Sequence, residues 1–179
     1  MFKYSLKHLS SSLAQSLSGS PIEHFILKMP QTVSGTMRHR GAYQTLPAVM
    51  MRSGTSKGLF LHRDDMPVHE DDWGPILLSV MGSKEGDRRQ IDGVGGATST
   101  TSKVAVVSKS TRADADVDYT FVQVAVGVEK VDFSGNCGNM ASGVGPFALD
   151  EGLVRAMPGQ SEVSSSFVAG QLNSLTSVD

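Results

Sequence analysis

The chain has 179 residues and a mass of 19.0 kDa, which fits one ordinary domain or one large half of a two-domain protein. It carries 16 basic and 18 acidic residues, so no basic excess favours nucleic-acid binding, and no apolar run reaches the roughly 18 residues that cross a bilayer. A single cysteine excludes an internal disulfide and a cysteine-rich zinc module. The composition predicts an intracellular protein, cytoplasmic or mitochondrial, that binds neither nucleic acid nor membrane.

Residues 1–44 are predicted to form an extension that precedes the folded domain. Serines recur through its first twenty residues, and four leucines at spacings of three or four form one stripe on a helix: Leu6, Leu9, Leu13 and Leu17. A serine-rich, acid-poor, amphipathic start is typical of a mitochondrial transit segment, although arginine is scarce here. A disordered extension in a cytosolic protein is an equal alternative.

The predicted strands begin at Leu46. Four runs rich in apolar and β-branched residues predict strands at 46–52, 59–61, 103–107 and 119–126. The glycine-bounded turn at 53–58 separates the first two runs, which predicts a hairpin.

Two helices are predicted between and after these strands. The first begins at Trp73 and is ended by Gly82, with four apolar residues on one face, and the second covers residues 140–149. Because strands outnumber helices, we expect an α+β domain over residues 45–157, with a mixed sheet wrapped on one buried helix. Residues 158–179 form a serine-rich tail in which no core element is predicted.

The lone cysteine, Cys137, is the most informative residue. It lies in Gly135-Asn-Cys-Gly-Asn139, where glycines allow close backbone approach and asparagines tolerate left-handed turns. The second predicted helix begins directly after this turn, so its free N–H groups would lower the thiol pKa and could hold a carboxylate. Most free cysteines are small buried hydrophobes, but these flanking residues favour the functional interpretation.

Lys103 is the second candidate. It follows the hydroxyl run Thr98-Ser-Thr-Thr-Ser102 and opens an apolar strand. Partial desolvation at such a position favours the neutral amine, which is the form that a base requires. Taken alone, however, a solvated lysine at the start of a strand is the simpler interpretation.

Other patterns carry less. The Gly143-Val-Gly-Pro-Phe-Ala148 run matches a loose nucleotide-binding form, but it lies inside a predicted helix and contains proline. The histidines show no helical pairing, so we expect no metal site. A thiol hydrolase would require a histidine near Cys137, and no histidine follows His69 in the chain.

Three segments together resemble the PrpF family, the methylaconitate and aconitate isomerases of the diaminopimelate-epimerase-like fold. They are Arg52-Ser-Gly-Thr-Ser-Lys-Gly58, the glycine- and hydroxyl-rich run Arg89–Lys103, and Ser134-Gly-Asn-Cys-Gly-Asn-Met140. The resemblance implies one domain of that fold, with a strongly curved mixed sheet around a central helix. Position 53 is serine where members usually carry glycine, which predicts either a crowded turn or a different backbone geometry there.

The resemblance also implies a function. Members shift a C=C bond in a small unsaturated di- or tricarboxylate by 1,3-proton transfer, without a cofactor or a metal. The family's proton-transfer lysine and cysteine match Lys103 and Cys137. Its carboxylate-binding residues match five positions of this chain: Gly54, Thr55, Ser56, Gly138 and Asn139.

Family members are about twice as long, with two similar domains and a substrate cleft between them. The resemblance covers only the first domain, and the serine-rich tail does not resemble the second, so we expect the second domain to be absent. A homodimer could rebuild a cleft from two first domains. The alternative is a truncated, catalytically inactive binding or regulatory domain of the same family.

Overall fold

The computed structural model describes residues 43–155 continuously, and beyond them four strands at 23–30, 38–40, 165–169 and 172–176. Side chains are described for residues 45–155. The leucine stripe predicted within the first twenty residues lies outside the described residues.

The described residues form one mixed sheet with two helices, which confirms the predicted α+β class. The strands are β1 (Glu23–Pro30), β2 (Arg38–Arg40), β3 (Tyr43–Ser53), β4 (Ser56–His62), β5 (Lys103–Lys109), β6 (Val117–Val124), β7 (Val131–Asp132), β8 (Ser165–Ala169) and β9 (Leu172–Thr176). Their order in the sheet is β1-β3-β4-β5-β6-β8-β9, with β2 paired to β3 and β7 paired to β6. The helices are α1 (Trp73–Met81) and α2 (Gly138–Asp150), and two short 3-10 turns cover Arg63–Asp65 and Glu70–Asp72.

The centre of the sheet is built by β3 to β6. Strands β3 and β4 form the predicted antiparallel hairpin, in which Ser53 pairs with Ser56 across a two-residue turn. Strand β4 then pairs with β5 in parallel, and β5 pairs with β6 in antiparallel fashion. A parallel pair needs a long crossover, and the chain between β4 and β5 supplies it with α1.

Alternation along the strands divides the core into two apolar clusters, one under each helix. On β5, Val104 and Val106 lie in the cluster with α1, whereas Ala105 and Val107 lie in the cluster with α2. Helix α1 buries Trp73, Ile76, Leu77, Val80 and Met81, and α2 buries Met140, Ala141, Gly143, Val144, Phe147 and Ala148. The same alternation places Lys103, two residues before Ala105, on the α2 side of the sheet.

Several boundaries differ from the sequence prediction. Strands β3 and β4 each begin three residues earlier than predicted, so the turn between them has only two residues. Helix α2 begins at Gly138, because Cys137 is its extended N-terminal cap residue (φ −140°), so Gly138 and Asn139 belong to the first helical turn. Strand β6 lies two residues earlier than predicted. The segment between His62 and Asp72, predicted as a loop, contains the two 3-10 turns.

The sheet also extends across both predicted domain boundaries. Strands β1 and β2 lie within residues 1–44, and β8 and β9 lie within residues 158–179. Strands β1 and β2 pair with β3, β8 pairs with β6, and β9 pairs with β8. Their backbone hydrogen bonds come from these partner strands, so the weak strand propensity of the segments themselves did not predict them. The domain limits themselves stay predictions. Neither α1 nor α2 is long and apolar enough to span a membrane, within the part of the chain that the structure describes.

Gly143 of α2 is expected to tolerate no larger residue. A Cβ there would lie 2.5 Å from Ser53 Oγ and 2.7 Å from Phe60 Cζ. Gly143→Ala should therefore destabilise the fold by about 1–3 kcal/mol through overpacking. Denaturant unfolding measures the change, and a stabilised Gly143→Ala variant would contradict the packing described.

Candidate active site

An amine and a thiol meet at the N-terminus of α2. Lys103 opens β5 on the side of the sheet that faces α2, and Cys137 caps that helix. The Lys103 Nζ lies 3.4 Å from Cys137 Sγ, so two residues that are 34 positions apart form a direct contact. Lys103 is only 9% exposed, which is rare for a lysine, and the thiol is half-buried.

The close packing of α2 on the sheet depends on Gly58 of β4. This residue pairs with Lys103 across the parallel strands, and a Cβ there would lie 2.5 Å from the Lys103 carbonyl oxygen and 2.7 Å from Met140 Cε. Only glycine leaves room for both neighbours, so Gly58 lets the first turn of α2 sit against the start of β5.

The surroundings of Cys137 favour its anion. Burial by itself raises the pKa of the thiol, but the Met140 N–H, the Lys103 ammonium and the Ser56 hydroxyl together outweigh it. The pKa of Cys137 is therefore lowered from its ordinary value. A thiolate at a helix N-terminus beside an ammonium is both a usable base and a nucleophile.

We expect the thiol to react as a low-pKa cysteine. Because Cys137 is the only cysteine of the chain, iodoacetamide alkylation reports on it alone. The alkylation midpoint of the folded chain should lie at a lower pH than that of the same chain unfolded in denaturant, because the folded surroundings lower the thiol pKa. A folded-state midpoint equal to or above the unfolded one would contradict the stabilised thiolate.

Lys103 is also held from its other side. Its Nζ donates to Gln123 Oε1 at 3.1 Å and lies 5.0 Å from the centre of the Phe121 ring. Gln123 was not found from the sequence. It faces Lys103 because β5 and β6 pair in a register that sets Lys103 opposite Gln123. The sequence does indicate that Gln123 and Phe121 share one face of the strand, since they are two residues apart.

The turn between β3 and β4 lies against the first turn of α2. The Asn139 Nδ2 donates to Thr55 Oγ1 at 2.9 Å, and the Thr55 N–H donates to Asn139 Oδ1 at 3.4 Å. Gly54 has φ +54°, and a Cβ there would overlap the Asn139 side-chain oxygen. Turn and helix are therefore joined by a reciprocal pair of hydrogen bonds.

All five predicted substrate-binding residues thus lie around the pair. The Ser56 hydroxyl is among the groups that lower the pKa of the Cys137 thiol, and a Cβ at Gly138 would have no described atom within 4 Å. Gly138 is the first residue of α2, where backbone N–H groups lack intrahelical acceptors. The structure brings these positions together, and their roles stay predictions.

Ser53 contacts the first turn of α2. It is the last residue of β3 and is 3% exposed. Its hydroxyl donates to the Asn139 carbonyl oxygen and lies 3.2 Å from Ser142 Oγ. The side chain therefore binds the first turn of α2, and the tight turn itself is made by Gly54 and Thr55.

A thiol hydrolase finds no support from His62. Its Nε2 lies 3.0 Å from Glu151 Oε2, and its ring packs on Phe147. Glu151 caps the C-terminus of α2 while Cys137 caps the N-terminus, which separates them by about 20 Å at 1.5 Å per residue. Among the described residues no group of three histidine, cysteine or acidic side chains is arranged to hold a metal ion.

The fold and the site define an α+β protein with an amine–thiol pair at a helix N-terminus. Residues 43–168 match the family profile described as "PrpF protein". The chain therefore belongs to the PrpF family.

Named relatives match the same region. The chain is 51% identical to 3-methylitaconate isomerase of Eubacterium barkeri, over 63% of this chain and 29% of that protein. It is 55% identical to 4-oxalomesaconate tautomerase of Pseudomonas putida, over 62% of this chain and 30% of that protein. A crystal structure of methylitaconate-delta-isomerase superposes with a TM-score of 0.64 at 47% identity, covering 69% of this chain and 31% of that one. The matched region is thus about a third of each relative.

Proposed function

We propose that the chain provides the proton-transfer site of an isomerase that shifts a C=C bond in a small unsaturated di- or tricarboxylate, without a cofactor. The single observation that carries this proposal is the 3.4 Å contact between Lys103 Nζ and Cys137 Sγ. The named relatives, an itaconate-type isomerase and an oxalomesaconate tautomerase, support the substrate class.

The carboxylate of the substrate would bind beside this pair. Backbone N–H groups of Gly138 and Asn139 lie in the first turn of α2, where the helix end attracts an anion. Thr55 and Ser56 add hydroxyl groups from the facing turn. Donors fixed in this way stabilise the negative charge that spreads into a carboxylate when the neighbouring carbon loses a proton.

The lowered pKa of Cys137 favours its thiolate. We propose that the pair reacts as thiolate and ammonium, and that the thiolate removes a proton from one end of the allylic system. The Lys103 ammonium then donates a proton to the other end, and the double bond moves between them. The thiol and neutral amine left behind restore the resting pair by passing one proton from sulfur to nitrogen. In the reverse direction a neutral Lys103 is the base and the Cys137 thiol is the acid.

The contact distance also bears on stereochemistry. Lys103 opens β5 on the side of the sheet that α2 covers, and Cys137 caps α2. No substrate atom fits between Lys103 Nζ and Cys137 Sγ, which are 3.4 Å apart. We therefore propose that proton removal and proton delivery take place on one face of the substrate.

The finer features of the fold and assembly are proposals as well. We propose that the sheet is one domain of the diaminopimelate-epimerase-like fold, strongly curved around α2, and that the chain acts in the cytoplasm or in mitochondria. A homodimer is the proposed working form if the isolated chain is active. The inactive binding domain is not favoured, because the amine, the thiol and the five surrounding residues are assembled together.

Chromatographic separation of isomers tests the proposed function. The chain should convert at least one of methylitaconate, methylaconitate, aconitate or oxalomesaconate, and its rate per chain should rise with concentration if a dimer is required. Thr120→Val, a change on the same strand as Gln123 but on the opposite face, serves as the control and should keep the native rate. No conversion of any of these acids by a folded chain, at any concentration, would contradict the proposal.

A further inference from the structure

We propose that Gln123 is a positioning residue that fixes the Lys103 amine against Cys137 and connects it to the hydroxyl-rich segment 98–102. The inference rests on the proposed proton-transfer role of the pair. It is carried by a set of hydrogen bonds in which every atom of the Gln123 amide has a defined partner.

The orientation of the Gln123 amide follows from its neighbours. Its Nε2 lies 3.2 Å from the Ser99 carbonyl oxygen, 3.0 Å from that of Ser102 and 3.3 Å from that of Val124. Carbonyl oxygens only accept hydrogen bonds, so this atom must be the donating nitrogen. The amide oxygen is then the atom that faces Lys103 Nζ at 3.1 Å.

This orientation determines where the amine can point. A lysine side chain has a flexible four-carbon stem, so one contact with sulfur would not fix its end. Gln123 Oε1 accepts one N–H of Lys103. This hydrogen bond fixes the direction of the other N–H groups on the nitrogen, and one of them points to Cys137 Sγ. Ser56 and the Met140 N–H act on the sulfur from the other elements.

The Gln123 amide also connects the Lys103 amine to segment 98–102, which is held in place by other contacts. The Lys57 N–H donates to the Thr100 carbonyl at 2.9 Å, and the buried Gln90 Oε1 accepts from Ser102 Oγ at 2.7 Å. Segment 98–102 is thus anchored by β4, by Gln90 and by Gln123. A displacement of this segment would be passed through Gln123 to the amine.

Alkylation of Cys137 by iodoacetamide tests the inference without any substrate. Gln123→Met keeps the length of the side chain but removes its acceptor and donor. We expect the alkylation rate near neutral pH to fall by roughly three- to tenfold, and its midpoint to rise, because the amine no longer stays beside the thiolate. Thr120→Val on the same strand should leave the midpoint unchanged.

A double-mutant cycle separates positioning from general damage to the fold. If Gln123 acts through Lys103, then Gln123→Met should have no further effect on the midpoint in a Lys103→Met chain. An unchanged midpoint in the single variant, or equal shifts in both backgrounds, would overturn the inference. If Gln123→Met does not fold, Gln123→Leu replaces it, since leucine also lacks the acceptor. Its midpoint should rise in the same way, and a midpoint that stays at the native value would be equally contrary.

These outcomes differ from failure of the proposed function. A native chain that converts no acid, yet shows the Lys103-dependent shift, would refute the isomerase and leave the positioning role of Gln123 intact. The opposite result is a native chain that converts an acid, with a conversion rate and an alkylation midpoint that Gln123→Met leaves unchanged. That result would refute only the positioning role.

Discussion

Replacing Cys137 with serine is expected to lower the isomerisation rate by about three orders of magnitude while the chain stays folded. A serine hydroxyl has nearly the size of the thiol, but it forms no appreciable anion near neutral pH and is a poor proton carrier. The thiolate that Met140, Lys103 and Ser56 stabilise is then missing from the pair. Steady-state rates of the native and variant chains, with thermal unfolding alongside, measure the effect.

Cys137→Ala serves as the matched variant for this prediction. Because the property required is proton transfer and not size, alanine and serine should lose the same activity. A serine variant that keeps more than about a tenth of the native rate would show that the sulfur does not carry the proton.

Lys103→Met is expected to reduce the rate by a similar factor of about a thousand. Methionine retains the length and apolar stem of lysine, which packs next to Phe121, but it lacks the nitrogen that contacts Cys137 Sγ and Gln123 Oε1. The loss of the ammonium should also raise the alkylation midpoint of Cys137, since an opposite charge beside the thiolate is removed. The two readouts should change together.

Lys109→Met is the control for this variant. Lys109 is the exposed last residue of the same strand, β5, so its replacement removes one positive charge without touching the pair. It should keep the native rate and the native thiol midpoint. Equal losses in the Lys103 and Lys109 variants would mean that net charge, not the amine beside the thiol, determines activity.

The elements that local chemistry defines could be predicted from the sequence. Helix α1 runs from Trp73 to Met81 as expected, because Gly82 adopts φ +70° and ends the helix. The hairpin of β3 and β4 follows from the Gly54-Thr55 turn between two apolar runs. In both cases one short segment carries the whole signal.

Features that depend on distant residues could not be predicted in this way. Strands β8 and β9 are stabilised by pairing with β6 and with each other, and nothing in their serine-rich sequence reports that partner. The pairing of Lys103 with Gln123 depends on the register of two strands, which one sequence does not specify.

The same distinction applies to the candidate site, where two residues have a local sequence signal and one does not. Cys137 stood out because glycine and asparagine surround it in the sequence, and Lys103 because it ends a hydroxyl run. Their 3.4 Å contact required the family resemblance, since residue types alone left a solvated lysine as the simpler interpretation. Gln123 escaped notice because a glutamine within a strand carries no local signal of function.

Proton NMR of an unsaturated di- or tricarboxylate in deuterated buffer tests the central claim most directly. The Lys103 amine exchanges its hydrogens with solvent, so the account predicts that deuterium enters the carbon that receives the proton as the double bond moves. Native and Lys109→Met chains should both show this label, and Lys103→Met and Cys137→Ser should show almost none. A folded native chain that takes up no label, or label uptake that survives both substitutions at the pair, would contradict the account.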